Sequence, residues 1–363
     1  MKLKVTQENL SAALNTVAKV ANTHNTLPIL SNVLIKTSGN RLSVAATNLD
    51  VAITQMVGSK ISEEGSLTIP ARLTQDFVAS LPSGVIDLTQ DENKLNLSTD
   101  KYESTINGMP AEDFPVMPAI AKGQKWNLPA KTLKHALQQI VFAASTDEAR
   151  PVLTGLYFHS SGDQLYVAAT DSYRLAEKAL MKSKDQIKLL IPVSAMQELL
   201  RILTDSDEDV TITSDDQQVL FKVGGVELVA RLIEGQYPDY QKLIPQNFTN
   251  IATLKRADFV NITKVSSLFA RESGGSVTIE LDSKTKQVSI RSIASQLGEN
   301  TAAADAKING SGQITLNSRF LMDGLNALNS DEVSFSFNGK LEPSVLKDPE
   351  NSDYLHVIMP LKS

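Results

Sequence analysis

Leu165-Tyr-Val-Ala-Ala-Thr-Asp-Ser-Tyr-Arg-Leu175 is where the architecture of this chain first shows itself. Leu165, Val167 and Ala169 alternate with Tyr166, Ala168 and Thr170, the period-two pattern of a strand. Asp171-Ser172 then breaks the pattern, because short polar side chains bond nearby backbone amides and favour turns. Tyr173, Arg174 and Leu175 follow, so a ring, a guanidinium and an aliphatic side chain stand together at a sheet end. Taken alone, this is a strand, a tight turn and the next strand. It gains weight because the chain says something similar elsewhere.

About 123 residues earlier the chain reads Leu42-Ser-Val-Ala-Ala-Thr-Asn-Leu-Asp50, and a degraded third copy stands at Val288-Ser-Ile-Arg-Ser-Ile293. Leu67-Thr-Ile-Pro-Ala-Arg-Leu73, Leu189-Leu-Ile-Pro-Val-Ser-Ala195 and Ile314-Thr-Leu-Asn-Ser-Arg-Phe320 recur with similar spacing. Each pairs a short strand with a helix, expected over 74–81, 196–203 and 321–328. Upstream, each copy opens with a strand and a longer amphipathic helix. The apolar stripes are Leu10, Leu14, Val17 and Ala21, then Leu133, Leu137, Ile140 and Val141, then Phe259, Ile262, Val265 and Phe269. The copies close alike on Asp113-Phe-Pro115, Gly235-Gln-Tyr-Pro-Asp-Tyr240 and Asp353-Tyr354. Turn chemistry such as Ser161-Gly-Asp163 and Asn338-Gly339 breaks the remainder into strands. Polar Lys122-Gly-Gln-Lys125 and Pro245-Gln-Asn-Phe-Thr-Asn250 are the expected linkers. The reading is α+β: three domains over 1–121, 126–247 and 248–363, each with two helices and about eight strands.

Composition excludes several classes. A chain of 363 residues exceeds one ordinary core, and 42% hydrophobic with 21% charged residues is a globular balance. With no cysteine, disulfides and thiolate metal sites are out, and a reducing cytoplasm is the expected compartment. The N-terminus shows no apolar signal core, and no apolar run approaches the ~18 residues of a membrane span. His24, His135, His159 and His356 lie far apart without metal-ligand spacing, so no metal is expected. Walker loops, dinucleotide fingerprints and nucleophile elbows do not occur, and clusters such as Asp205-Ser-Asp-Glu-Asp209 read as solvated loops. Catalysis is not expected, and neither is a cofactor.

Charge placement says more. Net charge is −6, yet the expected helices carry Lys19, Arg72, Lys131, Lys134, Arg201, Lys255, Arg256, Lys264, Arg271 and Arg319. Glu8, Asp76, Glu198, Asp258 and Asp323 oppose them, which leaves the helices net basic and the acidic surplus in strands and loops. A solubilising surface accounts for this, and so does a helical face turned toward phosphates.

Thr26-Leu-Pro-Ile-Leu30, Ala168-Ala-Thr-Asp-Ser-Tyr-Arg-Leu175, Gly235-Gln-Tyr-Pro-Asp-Tyr240 and Val357-Ile-Met-Pro-Leu361, in order on a threefold repeat, carry a resemblance. Over essentially its whole length the chain resembles the bacterial DNA sliding clamps, the β subunits of the polymerase III holoenzyme. The resemblance implies a head-to-tail homodimeric ring around double-stranded DNA, held without sequence preference. It also implies partners: the replicative polymerase, the clamp loader and other proteins with a clamp-binding motif. They would dock in a cleft walled by Leu153, Thr170, Ser172, Tyr173, Arg174, Leu175, Pro238, Lys242, Leu243, Ser344, Val357, Met359, Pro360 and Leu361. Arg174 and Tyr173 would form its polar rim. The resemblance pairs Leu268 and Phe269 with Ser104 and Ile106 of a second copy. It offers His24 and Arg150, with Arg72, Lys131, Lys134, Arg201 and Lys264 on helices, as DNA-facing residues. Ser104 and the terminal Lys362-Ser363 depart from the family pattern. A monomeric interaction platform of the same architecture is the alternative, and a hydrolase with an unrecognised carboxylate pair is a third.

Overall fold

The computed structural model describes residues 1–21, 27–203, 208–296 and 298–362. The first repeat runs β1 (Lys2–Thr6), α1 (Gln7–Val17), β2 (Asn32–Ser38), β3 (Arg41–Thr47), β4 (Val51–Gly58), β5 (Lys60–Glu63), β6 (Ser66–Pro70), α2 (Ala71–Ser80), β7 (Val85–Asp91), β8 (Lys94–Ser98) and β9 (Glu103–Asn107). The second runs β10 (Gln124–Leu128), α3 (Ala130–Ile140), β11 (Gly155–Ser161), β12 (Gln164–Thr170), β13 (Arg174–Lys182), β14 (Lys188–Pro192), α4 (Val193–Ile202), β15 (Val210–Ser214), β16 (Gln218–Val223) and β17 (Val226–Arg231). The third runs β18 (Asn250–Lys255), α5 (Arg256–Phe269), β19 (Ser276–Asp282), β20 (Gln287–Ala294), β21 (Gly298–Asp305), β22 (Lys307–Asn309), β23 (Gly312–Asn317), α6 (Ser318–Ala327), β24 (Glu332–Phe337), β25 (Ser344–Lys347) and β26 (Tyr354–Ile358). The architecture is α+β, three times over.

Two compact units divide the chain, and the division passes through the second repeat. Residues 1–131 and 198–232 form one unit, with sheets ordered β5-β1-β7-β8-β9 and β10-β15-β16-β17-β4-β3-β2-β6. Residues 132–197 and 233–363 form the other, with sheets β14-β11-β12-β13-β26-β25-β24-β18-β22 and β21-β20-β19-β23. Every pairing is antiparallel, so side chains alternate between the helix-covered face and the opposite one. The larger sheet of each unit joins two repeats, through β17 on β4 in one and β26 on β13 in the other.

The turn at the heart of the sequence argument is present twice. Asp171 Oδ1 accepts the Tyr173 and Arg174 amides at 2.9 Å, and Thr170 Oγ1 donates to the Arg174 carbonyl at 2.6 Å. In the first repeat Asn48 Oδ1 accepts the Asp50 and Val51 amides at 3.1 and 2.8 Å, while Thr47 Oγ1 donates to Val51 at 3.0 Å. Between them Ser172 and Leu49 hold φ of 77° and 79°. The local bonding that Asx side chains offer explains why this turn reads well from sequence.

Other elements depart from expectation. The shorter helices begin at Ala71, Val193 and Ser318, three residues before the expected starts. Pro70 and Pro192 close a strand and leave the next residue free to be helical, and Asn317 Oδ1 caps α6 by accepting the Arg319 amide at 2.9 Å. The α1 and α3 stripes hold at Leu10, Leu14, Val17, Leu133, Leu137 and Ile140, but Ala21 and Val141 lie beyond the helix ends. In α5 the buried face is Phe259, Ile262, Thr263 and Ser266, while Val265 is exposed. Ser266 Oγ donates to Asn300 Oδ1 of β21 at 3.0 Å and Thr263 Oγ1 to the Phe259 carbonyl of its own helix at 2.7 Å, so satisfied hydroxyls replace the expected aliphatic side chain. The first expected linker is half strand, since Gln124 and Lys125 already pair with β15.

The helical charge also shrinks. Within the observed bounds, Arg72, Lys131, Lys134, Arg201, Arg256, Lys264 and Arg319 stand against Glu8, Asp76, Glu198, Asp258 and Asp323, seven cations against five anions. Lys19, Lys255 and Arg271 fall outside the α-helices. Among the described residues, no helix is long and apolar enough to cross a membrane.

Candidate functional site

The β12–β13–β26–β25 part of the second unit brings most of the expected cleft together. Leu175 lies opposite Val357, and Val357 opposite Val345, so all three share a face. They pack with Leu153, Ala168, Leu190, Tyr237 and Tyr240 into one apolar cluster. Met359 extends the pairing past β26, donating its amide to the Tyr173 carbonyl at 2.8 Å. Around this buried floor stand exposed groups: Tyr173 at 65%, Leu243 at 57%, and Pro238. Met359, Pro360 and Leu361 are half-buried beside them.

Glycine places one wall. Gly235 has φ of 128°, and a Cβ there would stand 2.7 Å from Val152 Cγ1. Only glycine suits that backbone, which turns the chain so that Tyr237 enters the cluster and Pro238 stays at the surface. Lys242 and Asp239 form an exposed ion pair at 2.7 Å, worth little in water.

Arg174 is not the polar rim expected of it. It is 8% exposed and points to the opposite face from Leu175. Its Nε donates to Asp171 Oδ2 at 2.9 Å, one Nη to Asp323 Oδ2 at 2.6 Å and the other to the Phe142 carbonyl at 2.6 Å. The guanidinium also lies over the Phe320 ring at 4.5 Å and the Phe142 ring at 5.4 Å. Desolvation of such a cation is tolerable only because carboxylates, a carbonyl and two ring faces replace water. The side chain therefore ties β13 to α6 behind the cleft rather than lining it. Ser344 is fully buried and donates to the Ile358 carbonyl at 3.1 Å, so it too stands behind the wall. Thr170 is buried and spends its hydroxyl on the turn, and Ser172 accepts from Arg150 at 3.1 Å.

A polar chain under the cluster had no sequence signal, because its members lie 63 and 81 residues apart. Tyr240 donates to Glu177 Oε2 at 2.5 Å, and its hydroxyl meets His159 Nε2 at 2.6 Å. Tyr157 stacks on both His159 and Tyr237, with 4.8 Å between centroids in each case. Burial raises the Glu177 carboxyl and the Tyr240 hydroxyl above their ordinary values and lowers His159. This network fastens the 237–243 wall to the sheet.

The expected DNA-facing residues lie on separate elements. Arg72 and Lys264 are exposed on α2 and α5, Lys131 is exposed and Lys134 half-buried on α3, and Arg201 is paired with Glu198 on α4. Arg150 belongs to the Ser172 turn, and His24 lies outside the described residues. Of the expected pairing residues, Leu268 is 51% exposed and Phe269 half-buried at the end of α5, Ser104 is half-buried, and Ile106 is buried in its own sheet.

Comparison with known proteins covers the chain from end to end. Residues 1–118, 127–239 and 241–362 match the families described as DNA polymerase III beta subunit, N-terminal, central and C-terminal domain. Among curated proteins, the beta sliding clamp of Staphylococcus epidermidis is 32% identical over 377 residues, and that of Staphylococcus aureus 31% over 376, each covering 100% of both chains. Among solved structures, the sliding clamp of Bartonella birtlesii bound to griselimycin superposes with a TM-score of 0.95 at 30% identity, covering 100% of each chain. The Bacillus subtilis clamp gives 0.95 at 28% identity, covering 100% of this chain and 99% of that one. With a threefold repeat and likeness along the full length, the chain belongs to the DNA polymerase III beta subunit family, the beta sliding clamps, non-catalytic processivity subunits of the replicative polymerase.

Proposed function

We propose that the chain works as a head-to-tail homodimeric ring in the cytoplasm, threaded by duplex DNA, and that the β13–β26 cleft receives clamp-binding segments of the polymerase, the clamp loader and other proteins. The domains of this reading are 1–121, 126–247 and 248–363. The observation that carries the cleft is a buried aliphatic floor of Leu153, Leu175 and Val357 beneath exposed Tyr173 and Leu243. An extended apolar segment would cover those groups, and half-buried Met359 would adapt to its side chains. Arg174 and Ser344 support the wall from behind.

Two features support pairing of copies. β9 and β21 each end a sheet, so each presents a row of unpaired backbone groups. Leu268 and Phe269 sit at the end of α5, the helix packed on β20 and β21. We infer that β9 of one copy joins β21 of the next, a heterologous contact that closes when the rotation permits. Arg72, Lys131, Lys134 and Lys264 would attract phosphates without reading bases, and topology would retain the DNA.

Light scattering tests the ring: particles of twice 39.4 kDa support it, and 39.4 kDa would favour the monomeric platform. Replacing Leu268 with aspartate is expected to weaken the dimer by roughly three to four orders of magnitude in sedimentation, since about 2–3 kcal/mol of aliphatic burial goes at each of the ring's two interfaces. For the cleft, an acetylated Ser-Leu-Leu-Phe-Ser amide is the probe. Tyr173→Ala with Met359→Ala should weaken its binding at least tenfold in fluorescence polarisation, and unchanged affinity would refute the assignment.

A further inference from the structure

We propose that the β4–β17 seam in the first unit is a second, smaller docking site, which takes an extended peptide carrying one aliphatic side chain next to a carboxylate. This rests on reading the β13–β26 seam as a peptide cleft, because the two are built alike. Ala52 lies opposite Val229 as Leu175 lies opposite Val357. Arg231 donates its amide to the Asp50 carbonyl at 3.0 Å, as Met359 does to Tyr173. Leu30 packs on Phe114 where Leu153 packs with Tyr237, and Pro115 follows Phe114 as Pro238 follows Tyr237.

A hollow of about 180 Å³ opens at this seam, between Thr47, Leu49, Pro115, Val229 and Arg231. That is room for one side chain, since a cavity near 150 Å³ accepts a benzene ring. Val116, 95% exposed, and Leu49, 50% exposed, flank it and would be covered by a ligand. Leu49 also keeps φ of 79°, a conformation rare for a branched aliphatic residue, which holds its side chain at the rim.

The chemistry of the occupant follows from what replaces the cleft's own groups. Arg231 stands where the other seam has Met359, is exposed, and forms no ion pair among the described residues. Such a guanidinium favours a carboxylate, in the two-pronged geometry that arginine offers. Asp50, at the position of Tyr173, is placed to accept a backbone amide of the same extended segment. A purely apolar segment would leave Arg231 unanswered, so the two seams should sort peptides by charge.

Methyl NMR of the full chain, labelled at Ala, Leu and Val, tests this with an acetylated Ala-Leu-Asp-Gly amide as the acidic probe. The Ser-Leu-Leu-Phe-Ser amide reports on the other cleft. The acidic probe should shift the methyls of Ala52, Val116 and Val229 saturably. Arg231→Gln, or asparagine in place of the probe's aspartate, should weaken that binding at least fivefold and leave the apolar probe's shifts at Leu175 and Val357 intact. No saturable shift at Ala52 and Val229, with the apolar probe still bound, overturns the second site alone. Shifts that survive both substitutions overturn the carboxylate partner. An apolar probe that leaves Leu175 and Val357 unmoved counts instead against the first cleft.

Discussion

Arg174→Ala is expected to lower the unfolding free energy by about 3–5 kcal/mol, the cost of stripping one partner from a buried ion pair. Asp323 and Asp171 would lose their counter-charge, the Phe142 carbonyl its donor, and the Phe320 ring the cation stacked on it. Asp323 is 30% exposed and regains some water, which places the expectation at the lower end. Urea unfolding followed by circular dichroism measures the loss. A double-mutant cycle with Asp323→Ala should return a coupling of at least about 1 kcal/mol, because the groups touch. A loss below about 1 kcal/mol would mean that the side chain is ornamental. Arg174 variants therefore report on the fold first, and peptide binding is better probed at Tyr173 and Met359.

Acidification should destabilise the protein well before its carboxylates protonate. His356 is fully buried against Phe142. Burial, then the Arg174 charge, push its pKa down to about 3, against a smaller opposing pull from the Phe320 backbone. The unfolded chain, with histidine near its ordinary ~6.5, binds the proton that the folded chain refuses. Stability from this group is therefore complete above about pH 6.5 and is lost as pH falls toward 3. The slope is about 1.36 kcal/mol per pH unit, or about 2 kcal/mol between pH 6.5 and 5. His159 and His135, also lowered by burial, act in the same direction. Glu177, raised by burial, acts oppositely: its contribution is present at low pH and is lost as pH rises through its folded value. Unfolding free energies from urea titrations at pH 7 and 5 should differ by about 2 kcal/mol less in His356→Leu than in the unmodified chain. Equal pH dependence in both would exclude His356 as the acid-sensitive group.

Local chemistry explains which parts of the structure were legible. The turn at Thr170–Arg174 reads correctly because Asp171 bonds its own neighbours, and its twin at Thr47–Val51 reads for the same reason. Helix starts after Pro70 and Pro192 fall earlier than expected because the prolines end strands and the first helical turn opens directly behind them. The α5 stripe failed at Val265 because Thr263 and Ser266 find partners in Phe259 and Asn300, and apolar counting is blind to satisfied hydroxyls. Arg174 turns from the face expected of it because two of its partners, Asp323 and Phe142, are 149 and 32 residues away. The Glu177–Tyr240–His159 chain was missed on the same ground. Lys19, Lys255 and Arg271 lie beyond the helix ends, so the helical surplus of positive charge is smaller than sequence patterning implies.

Neither flank of the middle repeat is its own, since β17 leans on β4 and β13 on β26. Cut out as a fragment, residues 126–247 would carry two naked borders of hydrogen-bonding backbone, each matched in shape to a strand that had been removed. Such a piece has every incentive to recruit copies of itself side by side and precipitate as ribbons. Three copies of one sequence pattern are here, but not three free-standing proteins.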